Sequence, residues 1–262
     1  MMFGFGIKDI FTTINLMGGV IAICLCIDGE PFYAGISVMC GYLFGDTLDG
    51  YVARKLGTSN QFGAEYDTIS DHLSHVIAPA AIVYTVYKDA GILPHPWSQV
   101  LAIGLAASLI VSVSIRHARN IVAPVEVKGV WAGLPRSVLG FWEIGYCGAA
   151  LAPHVMGGWW VGVFLIPAMS IATLTYLPFP SHRISRKHRF GFYVSAVAFL
   201  GGTVLTMVFK PTFLFDLIFF YMTFYAFTAW LTLTKDERTE YFKVVDGAKA
   251  SLRAASRPAS AA

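Results

Sequence analysis

Charge is scarce in this 262-residue chain: Asp, Glu, Lys and Arg together make up 13% of it, where a soluble domain carries roughly a quarter. That scarcity argues against a water-soluble globule. Cysteine is scarcer still. The four present, Cys24, Cys26, Cys40 and Cys147, lie in apolar stretches without CxxC spacing, which argues against a zinc site or a redox pair and for small buried apolar side chains. Net charge is only +3; a basic excess this small belongs to loops flanking a membrane, and no nucleic-acid partner is expected. The opening MMFGFGIKDI lacks a basic region followed by a small-residue cleavage site, so the first apolar run is expected to be retained as a membrane span.

What the chain has in quantity is apolar surface: 56% of its residues are hydrophobic and the mean hydropathy is +0.61. A span takes about 20 apolar residues, because a helix must cross about 30 Å of hydrocarbon. By that measure the sequence predicts an all-α, polytopic membrane helical bundle with about eight transmembrane helices, near residues 10–27, 32–50, 66–87, 98–115, 134–153, 159–177, 190–209 and 211–233. Lys and Arg collect after the second, fourth and sixth of these: Arg54 and Lys55; Arg116, Arg119, Lys128 and Arg136; Arg183, Arg186, Lys187 and Arg189. The positive-inside tendency then places those connections, both termini and any site built from them on the cytoplasmic side of the inner membrane. Residues 1–234 form the expected membrane domain; 235–262, ending in ASLRAASRPASAA, are too poor in large apolar groups to bury a core and are expected to be a partly disordered cytoplasmic tail.

Against that apolar background, GDTLDGYVARKLGTSNQFGAEYDTISDHLS stands out. A carboxylate in a membrane segment is costly and marks a functional candidate. Asp46 and Asp49 are three apart and Asp67 and Asp71 four apart, so each pair shares one helical face. The short polar connection between them turns the chain back, and the two acidic faces can meet. Carboxylates converging in this way call for a hard divalent cation, Mg²⁺ or Mn²⁺, of the kind that bridges to phosphates. Gly50 and Ala53 keep the backbone approachable, Thr47 adds a hydroxyl, and Arg54 supplies a cation for a phosphate oxygen. Gly50, Ala53 and Gly63 also suit close helix packing.

This stretch resembles the CDP-alcohol phosphotransferases, whose motif is Asp, two residues, Asp-Gly, two residues, Ala-Arg, eight residues, Gly, three residues, Asp, three residues, Asp. Every fixed position is present, as Asp46, Asp49, Gly50, Ala53, Arg54, Gly63, Asp67 and Asp71. The resemblance implies that the aspartates hold a pair of divalent ions and the diphosphate of a CDP-linked lipid. It implies too that Asp71 takes the proton from an acceptor hydroxyl. Within the family the chain is most similar to the membrane-type phosphatidylserine synthases, on KDIFTTINLMGGVIAI, SDHLSHVIAPAAIVY, SIRHARNIV, KGVWAGLPRSVLG and LPFPSHR. There Thr12 and Asn15 lie on the side expected to face the nucleotide.

The implied reaction transfers a phosphatidyl group from CDP-diacylglycerol to L-serine, releasing CMP, in a homodimer embedded among membrane lipids. Serine's carboxylate needs a cation, and Arg116, Arg119, Lys128 and Arg136 are the candidates; they equally suit lipid headgroups. Glycerol 3-phosphate, inositol phosphate and choline-type acceptors are alternatives, and intramembrane aspartates also suit a cation transporter. His75 falls on the helical face of Asp71, where a supporting hydrogen bond is possible.

Overall fold

The computed structural model describes residues 4–57, 60–151, 154, 158–180 and 189–255, and these are mostly helical. The expected positive charges Arg183, Arg186 and Lys187 lie outside the described residues.

Helix α1 spans Ile7–Ile27. The Asp9 carboxylate reaches back to accept the Gly6 N–H at 2.6 Å, satisfying a donor that the first helical turn leaves open. Helix α2 (Pro31–Gly41) starts on a proline whose missing N–H costs nothing there. It runs through a π turn, Tyr42–Asp46, into α3 (Thr47–Leu56). Helix α4 (Gln61–His72) is capped by the Asn60 side chain, which accepts the Gly63 N–H at 2.7 Å. A second π turn, Leu73–Ile77, joins it to α5 (Ala78–Lys88). Pro79, one residue into α5, has no N–H to give the carbonyl four residues back, that of His75, and the helix opens there.

Helices α6 (Trp97–Val122), α7 (Arg136–Gly148), α8 (Trp159–Leu174), α9 (Arg189–Phe209) and α10 (Leu214–Thr228) follow. The two short strands β1 (Val130–Ala132) and β2 (Pro178–Pro180) pair antiparallel with Trp131 opposite Phe179. Helix α7 is buried on all sides from Val138 to Cys147, as expected of the central helix of a bundle. There Trp142 and Tyr146 stack at 5.5 Å and both meet Phe219 of α10.

Among the described residues three helical stretches are long and apolar enough to cross a membrane: Ile7–Ile27, Trp97–Val122 and Pro211–Thr232. The others fall short of that standard for physical reasons. The second and third expected spans are interrupted by π turns and carry the aspartates, and α7 has only 13 residues.

The segment expected to be a tail contains helix α11, Lys235–Ala255. Thr234 and Glu237 cap it reciprocally: the Glu237 carboxylate accepts the Thr234 N–H at 2.8 Å and Thr234 Oγ1 accepts the Glu237 N–H at 3.3 Å. Its Tyr241 and Val245 are buried against Val130, Ala132 and Leu233.

Candidate active site

One face of α1 carries Lys8, Thr12 and Asn15, spaced four and three apart so that they line up. Thr12 Oγ1 donates to Asp49 Oδ2 at 2.9 Å. Asn15 Nδ2 donates to Asp71 Oδ1 at 3.1 Å. The helices come this close because Gly45, just before Asp46, has no side chain. A Cβ there would sit 2.5 Å from the Asn15 backbone nitrogen and 2.7 Å from the Phe11 carbonyl oxygen. Ser70 Oγ ties α4 to the same stretch by donating to the Thr12 carbonyl at 3.0 Å.

The four aspartates converge. Carboxylate oxygens of Asp46, Asp49 and Asp67 all lie within 4.8 Å of one another, as do single ligand atoms from Asp46, Asp71 and His75. An ionised pair at that separation repels by about 3 kcal/mol at an effective dielectric of about 20. Arg136, at the start of α7, donates from Nη2 to Asp71 Oδ2 at 2.7 Å, and His75 Nδ1 lies 3.5 Å from Asp71 Oδ1. One guanidinium against Asp71 does not offset the mutual repulsion of the other three. Asp67 Oδ1 is buried with no hydrogen-bond partner among the described residues. An all-oxygen donor set this close, with an orphaned buried carboxylate oxygen, fits a hard divalent cation such as Mg²⁺ or Mn²⁺.

The remaining expected residues are dispersed. Thr47 Oγ1, at the start of α3, turns back across the preceding π turn to donate to the Tyr42 carbonyl at 3.1 Å. Gly50 is half-buried on α3. The Ala53 and Arg54 side chains lie outside the described residues. Gly63 is buried, and the Lys8 ammonium takes the space its missing Cβ would fill.

Of the four cations expected to meet the acceptor, only Arg136 makes a described contact with the aspartates. Arg116 is buried with Nε donating to the Ala132 carbonyl at 3.3 Å. Arg119 donates from Nη1 to the Leu174 carbonyl at 2.6 Å and lies over the Tyr176 ring at 4.5 Å. Lys128 is exposed. The sequence reading passed over the Lys8–Asp9 pair, 2.9 Å apart and buried beside Gly63. The available signal was a Lys-Asp dipeptide immediately before the first apolar run. It also passed over Glu143, fully buried in α7 with neither carboxylate oxygen hydrogen-bonded among the described residues.

The sequence profile of the CDP-alcohol phosphatidyltransferases matches residues 6–177, a stretch that contains every residue of this cluster. The chain belongs to the CDP-alcohol phosphatidyltransferase family. Among its relatives, the CDP-diacylglycerol–serine O-phosphatidyltransferase of Methanocaldococcus jannaschii is 40% identical over 83 residues, 32% of this chain and 37% of that protein. The archaetidylserine synthase of Methanothermobacter thermautotrophicus is 38% identical over 85 residues, 32% of this chain and 36% of that one. A phosphatidylinositol phosphate synthase of Streptomyces avermitilis is 30% identical over 142 residues, 52% of this chain and 56% of its own length. The matched stretches thus cover between 36% and 56% of these three relatives. In this family member the segment beyond residue 177, including α9 to α11, lies outside the family match.

Proposed function

We propose that the chain transfers a phosphatidyl group from CDP-diacylglycerol to L-serine, giving phosphatidylserine and CMP. The observation that carries this reading is the meeting of Asp46, Asp49 and Asp67 within 4.8 Å, with Asp71 beside them held by Asn15 and Arg136. Asp46, Asp49, Asp67 and Asp71 would hold divalent ions, Mg²⁺ or Mn²⁺, as a pair. Bound there, such ions supply positive charge to the diphosphate as negative charge builds on the departing CMP.

The chain's own groups do the rest. Asp71 accepts the proton from the serine hydroxyl as that oxygen forms its bond to the lipid-bearing phosphorus and the bond from phosphorus to the CMP oxygen breaks. Asn15 and Arg136 fix the Asp71 carboxylate so that it presents a lone pair at a set angle. Arg136, adjacent to the base, is the cation best placed to receive the acceptor's carboxylate in a two-pronged contact. Thr12 orients Asp49. Direct displacement suffices, because CMP is a good enough leaving group without a covalent enzyme intermediate. The finer expectations belong to this proposal as well: about eight spans, both termini and the site on the cytoplasmic face of the inner membrane, a homodimer, and a membrane domain of residues 1–234.

The relatives support serine, and the phosphatidylinositol phosphate synthase supports inositol phosphate as the second reading, since its match is the longest of the three reported. Purified protein supplied with CDP-diacylglycerol and a divalent ion, and offered L-serine, inositol phosphate, glycerol 3-phosphate or choline in turn, separates them by CMP release. Serine is expected to give the fastest release. Release with inositol phosphate and none with serine would overturn the acceptor assignment, and no CMP with any acceptor would overturn the reaction.

A further inference from the structure

We infer that Lys8 is a binding residue for the diphosphate of the nucleotide donor, and that Gly63 is glycine in this chain because the Lys8 ammonium occupies the space beside it. The inference rests on the donor reading above and adds a residue that the aspartate motif does not contain.

Lys8 stands one helical turn before Thr12 and two before Asn15, on the face of α1 that meets Asp49 and Asp71. Across from it, Gly63, Asp67 and Asp71 follow one another at four-residue intervals along one face of α4. The two faces run in register, with Lys8 against Gly63 and Asn15 against Asp71. The ammonium therefore sits one turn, about 6 Å along the helix, beyond Asp67, at the end of the row of carboxylates. A diphosphate held by ions on Asp46, Asp49 and Asp67 would place negative charge beside that end of the row, where the ammonium could meet it.

Folding alone gives little reason for a lysine here. A cation in the first turn of a helix opposes the helix dipole. Lys8 is only 7% exposed and its partner Asp9 is fully buried, so both lose hydration that a surface position would keep. The Asp9 carboxylate already has a task at the Gly6 N–H. The ammonium lies against the empty side of Gly63, in the space a Cβ would take, and that Cβ would also stand 2.8 Å from Asp9 Oδ1. Any side chain at residue 63 would push the ammonium away from the site.

The test is binding of CDP to the purified full chain in detergent with saturating Mn²⁺, by calorimetry, with Tm measured alongside. Lys8→Met is expected to weaken CDP binding about 10-fold or more, the usual effect of losing a charged hydrogen-bond donor, while Mn²⁺ binding alone is not weakened. Gly63→Ala is expected to lower Tm and CDP affinity together, and to lower Tm much less when added to Lys8→Ala than when added to the wild type, because the ammonium it would displace is gone. Lys8→Met binding CDP within twofold of wild type, whatever its Tm, would overturn the phosphate role. An equal loss of Tm from Gly63→Ala in the wild type and in Lys8→Ala would overturn the assignment of the space at Gly63. If the wild type itself bound no CDP with Mn²⁺, the donor reading would fall and this inference with it.

Discussion

Gly45→Ala puts a methyl group where α1 and the first π turn touch, and its effect can be worked out from the contacts. The new Cβ would stand 2.5 Å from the Asn15 nitrogen, 2.7 Å from the Phe11 carbonyl oxygen and 2.8 Å from the Asn15 Cβ. The first two are backbone atoms of a continuous helix and have no rotamer to escape into. Relief requires the two elements to part by about half an ångström to one ångström. Overpacking of this kind costs about 1–3 kcal/mol, which for a chain of this size lowers Tm by roughly 2–12 °C. The loss of function should be larger. Asn15 donates to Asp71 at 3.1 Å and Thr12 to Asp49 at 2.9 Å; moving α1 outward stretches the first beyond hydrogen-bonding range and strains the second. A misplacement near 1 Å can lower a rate about 10²-fold. Serine-dependent CMP release is therefore expected to fall by about that factor in Gly45→Ala. Gly104→Ala is the control: it sits on an open face of α6 where a Cβ meets nothing within 4 Å, so it should leave the rate unchanged and raise stability by about 0.5–1 kcal/mol. A Gly45→Ala protein turning over within twofold of wild type would refute the claim that this contact sets the site.

Asp71→Asn keeps the shape of the side chain but removes the proton acceptor, so CMP release should fall by more than about 10²-fold while Mn²⁺-dependent CDP binding is largely retained; release at the wild-type rate would exclude Asp71 as the base. Asp49→Asn should lose CDP binding itself, since it takes one oxygen ligand from the group around Asp46 and Asp67, and calorimetry separates the two variants. Mn²⁺ at about 100 times its dissociation constant should stabilise the protein by about 2.7 kcal/mol, read as a rise in Tm that a chelator reverses; an unchanged Tm would argue against a cation site. Tyr241→Phe removes the hydrogen bond from its hydroxyl to the Tyr176 carbonyl, 2.9 Å long, and should cost about 1 kcal/mol without altering CDP binding.

The aspartates were legible in the sequence because four carboxylates at helical spacing conflict with an apolar environment, and only convergence on a cation resolves the conflict. Thr12 and Asn15 were legible through their resemblance to the first helix of related enzymes, and the structure places both on the aspartates. What could not be read was which cation would reach them. Arg116, Arg119, Lys128 and Arg136 look alike in a string of residues, yet two of them donate to backbone carbonyls, one is exposed and only Arg136 meets Asp71. That distinction depends on how α6 and α7 pack. Helix α11 was missed for a different reason: the Ala- and Ser-rich end dominated the composition of the whole segment. The capping signal Thr234 to Glu237 and the apolar spacing of Tyr241 and Val245 were present upstream of it. The π turns left no mark that periodicity could detect.

The placement of Arg136 opposite Asp71 depends on contacts well away from the aspartate motif. One turn along α7 from Arg136 is Gly140, and one turn along the α4–α5 rod from Asp71 is His75. A Cβ on Gly140 would collide with the His75 carbonyl, standing 3.0 Å from its carbon and 3.2 Å from Pro79 Cγ. Because Pro79 has no N–H for that carbonyl, its oxygen turns outward to face the bare Gly140 backbone, and two helices meet where each lacks something. Farther along α7, Gly145 and Gly148 form notches filled by the Phe219 backbone and the Phe215 ring of α10, and the same ring fills the space beside Gly35 of α2, where a Cβ would stand 2.8 Å from it. Helix α10 thus braces α7 against α2 and fixes the height at which Arg136 meets Asp71. Since α10 lies beyond residue 177, the geometry around Asp71 is set partly by a region outside the family match. In the proposed reaction, an acceptor held by Arg136 would therefore be selected partly by packing outside the eight motif residues.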